Sequence, residues 1–337
     1  MRKLASIRQI SELLPIEEAD KIELAIVDSW KVVVAKGLKV GDKVVYCEID
    51  SFLPIKPEFE FLRKSCYKKL IDGTEGFRLR TIKLRGQISQ GLCIPLHELP
   101  QIADKEVGED VSEILEIIKY EPPVPAQLAG SAKGNFPSFL RKTDEERIQN
   151  LTKEYQEYLT SGKQFYVSEK LDGSSATFYL RDGQFGVCSR NLELLENEGN
   201  SFWKVARDLN IEEKLKTLPF NACLQGELIG EGIQGNPYKI KGQDVRFFNL
   251  FNIDTYEVLP VNDLVTFCKN VGLKVVPMFD LDLGEKDLPV TIDELLVLAE
   301  GKSALNFETE REGLVIRSVD SKISFKVISN KFLLTTN

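Results

Sequence analysis

The sequence predicts an α+β chain of two domains, a strand-rich N-terminal one and a larger mixed one. Three observations carry this prediction. Short runs alternating apolar and polar residues crowd the first hundred or so positions. A stretch rich in Pro, Ala, Gly and Ser, "YEPPVPAQLAGSAKGNFPSF" (120–139), follows them. Beyond it, strand-like runs dominate with a few helical segments between. At 337 residues, 42% of them apolar, the chain is long enough for two cores.

The N-terminal runs are "KIELAIVD" (21–28), "WKVVVAK" (30–36), "DKVVYCEI" (42–49), "GFRLRTIKL" (76–84) and "GLCIPL" (91–96). Five such strands predict a small closed barrel, most economically an OB-fold over residues 1–120. A short acidic helix is expected over 105–119, then a linker at 121–139. "TDEERIQNLTKEYQEYL" opens with a Thr-Asp cap and predicts a helix starting near residue 144. Strands are expected at 164–168, 174–180, 184–189, 223–229, 245–253, 313–318 and 322–328, with helices at 201–216, 261–271 and 291–300. The second domain, 140–337, is therefore read as a largely antiparallel sheet with flanking helices.

Composition removes several kinds of chemistry. The single histidine, His97, lies in the Pro-flanked "IPLHELP" and reads as a structural or surface residue. That disfavours Ser-His-Asp and Cys-His catalysis and most catalytic zinc sites. Six scattered cysteines with no C-x-x-C pair argue against a zinc or disulfide framework and fit a reducing compartment. No run is apolar enough for a membrane span or a signal peptide, so the expectation is an intracellular monomer, in cytoplasm or nucleus, with no membrane partner.

Net charge is −8, yet between Arg63 and Arg85 eight cations stand against Asp72 and Glu75. Such a concentrated patch on an acidic protein points to a polyanion, and its place in the barrel points to RNA or DNA.

The chemistry centres on "FYVSEKLDGSSATFYL" (165–180). In an extended strand, residues two apart share a face, so Lys170 and Asp172 address the same space, and Gly173 is expected to leave room for a ligand. In order along the chain follow Arg190 in "CSRN", Glu227 in "LQGELIGEGIQ", Phe248 and Phe251 in "RFFNLFNID", Glu312 in "REGLVIR", and Lys326 and Lys331 in "ISFKVISNKF". Each sits on a strand or at its end, so all can line one cleft.

This ordered set resembles the covalent nucleotidyltransferase superfamily of DNA ligases, RNA ligases and capping enzymes, and "GELIGEGIQ" and "FFNLFNI" look most like its RNA-ligase branch. The resemblance implies an adenylyltransferase domain in which Lys170 attacks the α-phosphorus of ATP and becomes lysyl-AMP. It implies that Lys326 meets the α-phosphate and Phe251 stacks on adenine. Glu169, Arg190 and Arg147 are expected around the nucleotide, Glu227 at ribose or a metal-bound water. Asp172, Glu227 and Glu312 are expected to face Mg2+ or Mn2+, chiefly through its waters. RNA is the implied partner, with Lys68, Lys69, Arg80 and Lys83 contacting it. The superfamily's second lysine, two places after Lys326, is replaced here by Ile328, so Lys331, Arg147 or a second metal is expected to supply that charge. An OB-fold ahead of the catalytic domain, with only 332–337 after Lys331, separates the chain from most DNA ligases and capping guanylyltransferases. Those two, and an inactive OB-type RNA binder, stand as alternatives.

Lysine suits this task on physical grounds. It is nucleophilic only when neutral, its ordinary pKa is about 10.4, and nearby cations lower it. Carboxylates suit hard divalent ions that keep most of their water.

Overall fold

The computed structural model describes residues 3–70, 72–121, 131–280 and 288–335. The chain divides into two compact units, residues 1–123 with 333–337, and residues 124–332.

In the first unit, Leu92–Pro95, Lys43–Cys47, Ala5–Pro15, Ile22–Val27 and Trp30–Ala35 lie side by side in that order as an antiparallel sheet. Ala5–Pro15 was not among the expected strands. A bulge between Ile10 and Glu12 breaks its alternation, so that its first half pairs with Lys43–Cys47 and its second with Ile22–Val27. A second sheet holds Ile118–Lys119, Ser51–Pro54, Glu75–Arg78 and Tyr67–Lys69. The expected strand at 76–84 is two: Glu75–Arg78 joins this sheet, whereas Thr81–Leu84 forms a hairpin with Gln87–Gln90. Ile7, Val45, Phe59, Phe77 and Ile94 fill one part of the core, Trp30, Val32, Val44 and Tyr46 another.

The helix expected at 105–119 does not form. Its backbone is spent on the neighbouring strand instead: Ile7 N–H donates to Glu109 O (3.0 Å), Gly108 N–H to Ile7 O (2.8 Å) and Val111 N–H to Ala5 O (2.9 Å). Tertiary pairing overrides local propensity here.

The second unit is built on two sheets. The larger runs Ala132–Asn135, Leu192–Leu194, Gln184–Cys188, Ser174–Arg181, Ala222–Gly230, Gln243–Asn252, Glu257–Val258. The smaller runs Glu146–Arg147, Ser324–Ile328, Gly313–Ser318, Phe165–Lys170, Met278–Asp280. All pairs are antiparallel except Glu146–Arg147 with Ser324–Ile328. Ser201–Asp208, Ile211–Leu215 and Val261–Val271 cover the larger sheet, burying Trp203, Ile211 and Leu264 against Phe178, Leu224 and Phe247. Ile292–Ala299 covers the smaller, setting Leu295 against Ile316 and Phe325.

Three boundaries differ from expectation. The helix expected from 144 begins at Thr152, because Glu146 and Arg147 are taken into the smaller sheet. The helix expected over 201–216 is broken at Asn210, whose φ of +50° lies in the left-handed region. The linker partly falls outside the described residues, and its later part, Ala132–Asn135, is a strand paired with Leu192–Leu194.

Candidate active site

The chain crosses from the smaller sheet to the larger between Lys170, the last residue of one strand, and Ser174, the first of the next. The K-x-D-G segment is that crossover, which places Lys170 between the sheets. Phe165 and Val167 face the helix-covered core, so the alternate residues Tyr166, Ser168 and Lys170 face the larger sheet. Gly173 is required by crowding: a Cβ there would meet Leu228 O at 2.4 Å and Glu227 Cγ at 2.8 Å. The space expected for a ligand is filled by the strand that carries Glu227.

The register delivers the other groups. Lys170 lies opposite Gly313, and its Nζ is 2.7 Å from Glu312 Oε1. Glu227 lies opposite Ser175 across the larger sheet. Ser168, Val315, Lys326 and Arg147 stand in one row, so register puts Lys326 and Arg147 on the face that carries Lys170. Lys331 is not in this row: its ammonium is 3.1 Å from Glu300 on the exposed surface, whereas Arg147 is paired in register with Lys326. Arg190 pairs with Asp144 at 2.6 Å, and its charge favours the ionised form of Glu227.

Two expectations need correcting. The Glu169 side chain points away from Lys170, is buried, and accepts from the Ala304 N–H at 2.8 Å; strand alternation puts it on the other face. Phe251 is fully enclosed among Leu140, Tyr179, Cys188 and Cys223, with Tyr256 edge-on at 5.2 Å, so neither ring face is open to a base. A bulge opposite Gln225 and Gly226 interrupts the alternation of this strand, and Phe248 instead packs beside Leu171, next to the lysine. In the barrel, strand alternation sends Lys68 and Lys69 to opposite faces: Lys68 lies 5.1 Å from the Tyr120 ring, Lys69 pairs with Glu75 at 3.0 Å. Lys83 is exposed on its hairpin, Arg80 half-buried, and His97 is exposed as expected.

Sequence reasoning missed Tyr238, whose buried hydroxyl accepts the Asp172 N–H at 2.6 Å and so pins the crossover. It lies in the irregular "GNPYKI", where no periodicity marks it.

Burial lowers the Lys170 pKa, but Glu312, Glu227 and Asp172 together outweigh it and hold the ammonium above its ordinary range. Burial, with Glu312 nearby, pushes Asp172 up to about 6 against the pull of Lys170. Burial likewise pushes Glu227 up to about 8, opposed by Lys170 and assisted by Glu312 and Asp172. Three carboxyl groups around one ammonium are an excess of negative charge, which adds to the effect of burial on Asp172 and Glu227. The site therefore fits a divalent cation. Among the described residues no three His, Cys, Asp or Glu side chains form a group that could hold a metal ion.

A stability consequence follows. Because the folded Glu227 binds its proton more tightly than an unfolded glutamic acid, the metal-free protein loses stability as pH rises from about 4.5 to about 8. The slope is at most about 1.4 kcal/mol per pH unit. Melting temperatures in chelator at pH 6 and 8.5 will fall for the wild type and stay level for Glu227→Gln; parallel behaviour would refute the assignment.

Comparison with known proteins agrees with this geometry. A family model described as an OB-fold domain matches residues 4–96, and one described as RNA ligase matches residues 163–329. No curated protein matches the chain. Among solved structures, a Naegleria gruberi RNA ligase mutant with AMP and Mn is 43% identical, with a TM-score of 0.92 over 98% of each chain. Another mutant of that ligase, with ATP and Mn, gives 43% identity and 0.90 over 98% of each chain. The same ligase with PPi gives 43% identity and 0.90 over 99% of this chain and 98% of that one. With that identity sustained over nearly its whole length, the chain belongs to the RNA ligase family, as a member with an OB-fold domain ahead of its ligase domain.

Proposed function

We propose that the chain is an ATP-dependent RNA ligase that joins 3′-hydroxyl and 5′-phosphate RNA ends, with a nicked duplex as its substrate. The observation that carries this reading is Lys170, held 2.7 Å from Glu312 at the crossover between two sheets, with Glu227 and Asp172 close enough to perturb it. The family likeness, and relatives solved with ATP, AMP and Mn, support ATP over GTP and RNA over DNA ends.

In the first step Lys170 Nζ, having lost its proton, forms a bond to the α-phosphorus while the bond to pyrophosphate breaks, leaving lysyl-AMP. In the second, an oxygen of the RNA 5′-phosphate takes the AMP and the lysine recovers its amine, giving adenylylated RNA. In the third, the 3′-hydroxyl attacks that phosphate, and AMP departs with the electron pair. Base pairing holds the ends together, so proximity supplies much of this last step. Asp172, Glu227 and Glu312 would hold Mg2+ or Mn2+ through its waters, and the ion supplies positive charge near the phosphate. Lys326 and Arg147 face the same space and neutralise phosphate charge, and Arg190 reaches the nucleotide or RNA end. Free, mostly buried cysteines support a reducing, intracellular setting, and the proposed working form is a monomer.

α-Labelled ATP or GTP with Mn2+ tests the reading. Label is expected on the protein from ATP alone, and nicked duplex RNA then chases it into free AMP as the strand is sealed. Labelling by GTP, or equal sealing of single strands, overturns the nucleotide or the substrate assignment respectively.

Tyr238→Phe removes the acceptor of the buried Asp172 N–H. The self-adenylylation rate is expected to fall about tenfold, with more Mn2+ needed for half-maximal rate, as for loss of an outer-sphere partner. An unchanged Mn2+ dependence would reduce the phenol to packing.

A further inference from the structure

We propose that Phe61 and Tyr67, with Arg63 and Lys64 beside them, form a stacking platform for unpaired RNA bases flanking the nicked duplex; this rests on the RNA ligase reading and adds where and how a single-stranded extension of that substrate is held. The segment Pro57–Leu62 runs directly into the short helix Arg63–Cys66 and the strand Tyr67–Lys69. Phe59 and Leu62 are its anchors, buried in the core of the first unit, with Cys66 packed against the same cluster. Packing is thus satisfied without Phe61, yet that ring is 63% exposed and Tyr67 is 42% exposed. Lys64, one helical turn on from Phe61, is exposed with them.

The Tyr67 side of the platform is held in shape before any ligand arrives. The Arg63 guanidinium sits 5.3 Å from the Tyr67 ring and 5.7 Å from Phe77, and pairs with Glu60 at 2.5 Å. Tyr67 is paired with Phe77 across the strands. A ring held as Tyr67 is loses little freedom when a base stacks on it. The ion pairs Arg63–Glu60 and Lys69–Glu75 are exposed, and such pairs contribute little, so a phosphate can replace either carboxylate. Aromatic faces interleaved with cations match a single strand, whose bases are free to stack and whose phosphates follow at regular spacing. A protein partner would leave the cations without phosphates to meet, and a duplex offers no free base faces.

The test uses the full chain and a fluorescent twelve-residue oligo(U), read by anisotropy at several salt concentrations. Phe61→Ala with Tyr67→Ala is expected to weaken binding about tenfold or more with an unaltered salt slope, since stacking is not ionic. Phe61→Tyr with Tyr67→Phe, which keeps both rings, should bind like the wild type. Lys64→Ala should lower the salt slope by about 0.7, one phosphate contact on a single strand. Should the double alanine variant melt early, Phe61→Ala alone, at a position outside the core, gives the reading. Unchanged affinity without the rings, equal loss in the ring-conserving variant, or equally tight and equally ring-dependent binding of a duplex of the same length each overturns the proposal. Wild-type self-adenylylation is measured separately: its absence with ring-dependent oligo(U) binding intact refutes the ligase reading and leaves the platform standing.

Discussion

Lys170→Ala will take up no label from α-labelled ATP, a loss on the order of a thousandfold or more, because the proposed covalent intermediate has no other atom to form on. Glu312 touches Lys170 directly, and Glu227 and Asp172 act on the same ammonium. In this arrangement the resting amine is held protonated and is not a nucleophile. With its pKa above the ordinary range, Lys170 is charged at neutral pH, and attack requires cations to enter and offset the carboxylates. The same logic separates the steps. RNA already adenylylated at its 5′ end needs no lysine nucleophile, so the alanine variant should still seal it with Mn2+. Residual labelling from ATP in the variant, by contrast, would mean that another side chain is the nucleophile and that the three-step scheme is misassigned.

How much of this was legible beforehand depends on how far each feature is local. The K-x-D-G lysine and Glu227 sit on strands whose alternation is plain in the sequence, Asp172 and Glu312 lie just off strand ends, and the structure brings them together. Strand alternation alone also separates Glu169 from Lys170, an inference open from sequence. Phe251 was misread for a different reason. It pairs with Cys223, on the face that also carries Glu227, but farther along the strand and under Leu140, Tyr179 and Tyr256, a cover that no pattern in "RFFNLFNID" reveals. The acidic stretch at 105–119 carries helix-like composition, but its backbone pairs with a strand a hundred residues earlier. Tyr238 was silent because its importance is one hydrogen bond to a distant backbone N–H.

The strongest silent feature is Arg317, and Glu145→Ala should destabilise the protein by on the order of 3–5 kcal/mol. The Arg317 guanidinium is 6% exposed. It donates to Glu145 Oε1 at 2.7 Å, Phe248 O at 2.8 Å, Asn249 Oδ1 at 3.0 Å and Ser324 Oγ at 3.1 Å. The chain of bonds continues from Asn249 to Gln225 (3.1 Å) and from Gln225 to Arg141 O (2.7 Å). Arg317 belongs to the smaller sheet and Phe248, Asn249 and Gln225 to the larger, so this network ties together the two walls that carry Lys170 and Glu227. Although burial pushes the Glu145 pKa up, Arg317 and Ser324 more than offset it, so the carboxylate stays ionised and completes the pair. Without it, a buried guanidinium keeps its desolvation cost and loses its counter-charge, which is the expensive way to break an ion pair. Denaturant titration should show the midpoint falling with the slope unchanged, and self-adenylylation should weaken at temperatures where the variant is still folded, because the walls are less firmly registered. Glu145→Gln, which keeps an acceptor for Arg317, should recover part of the stability. A Glu145→Ala variant as stable as the wild type would mean that water reaches Arg317, and that the two sheets are held by their apolar contacts alone.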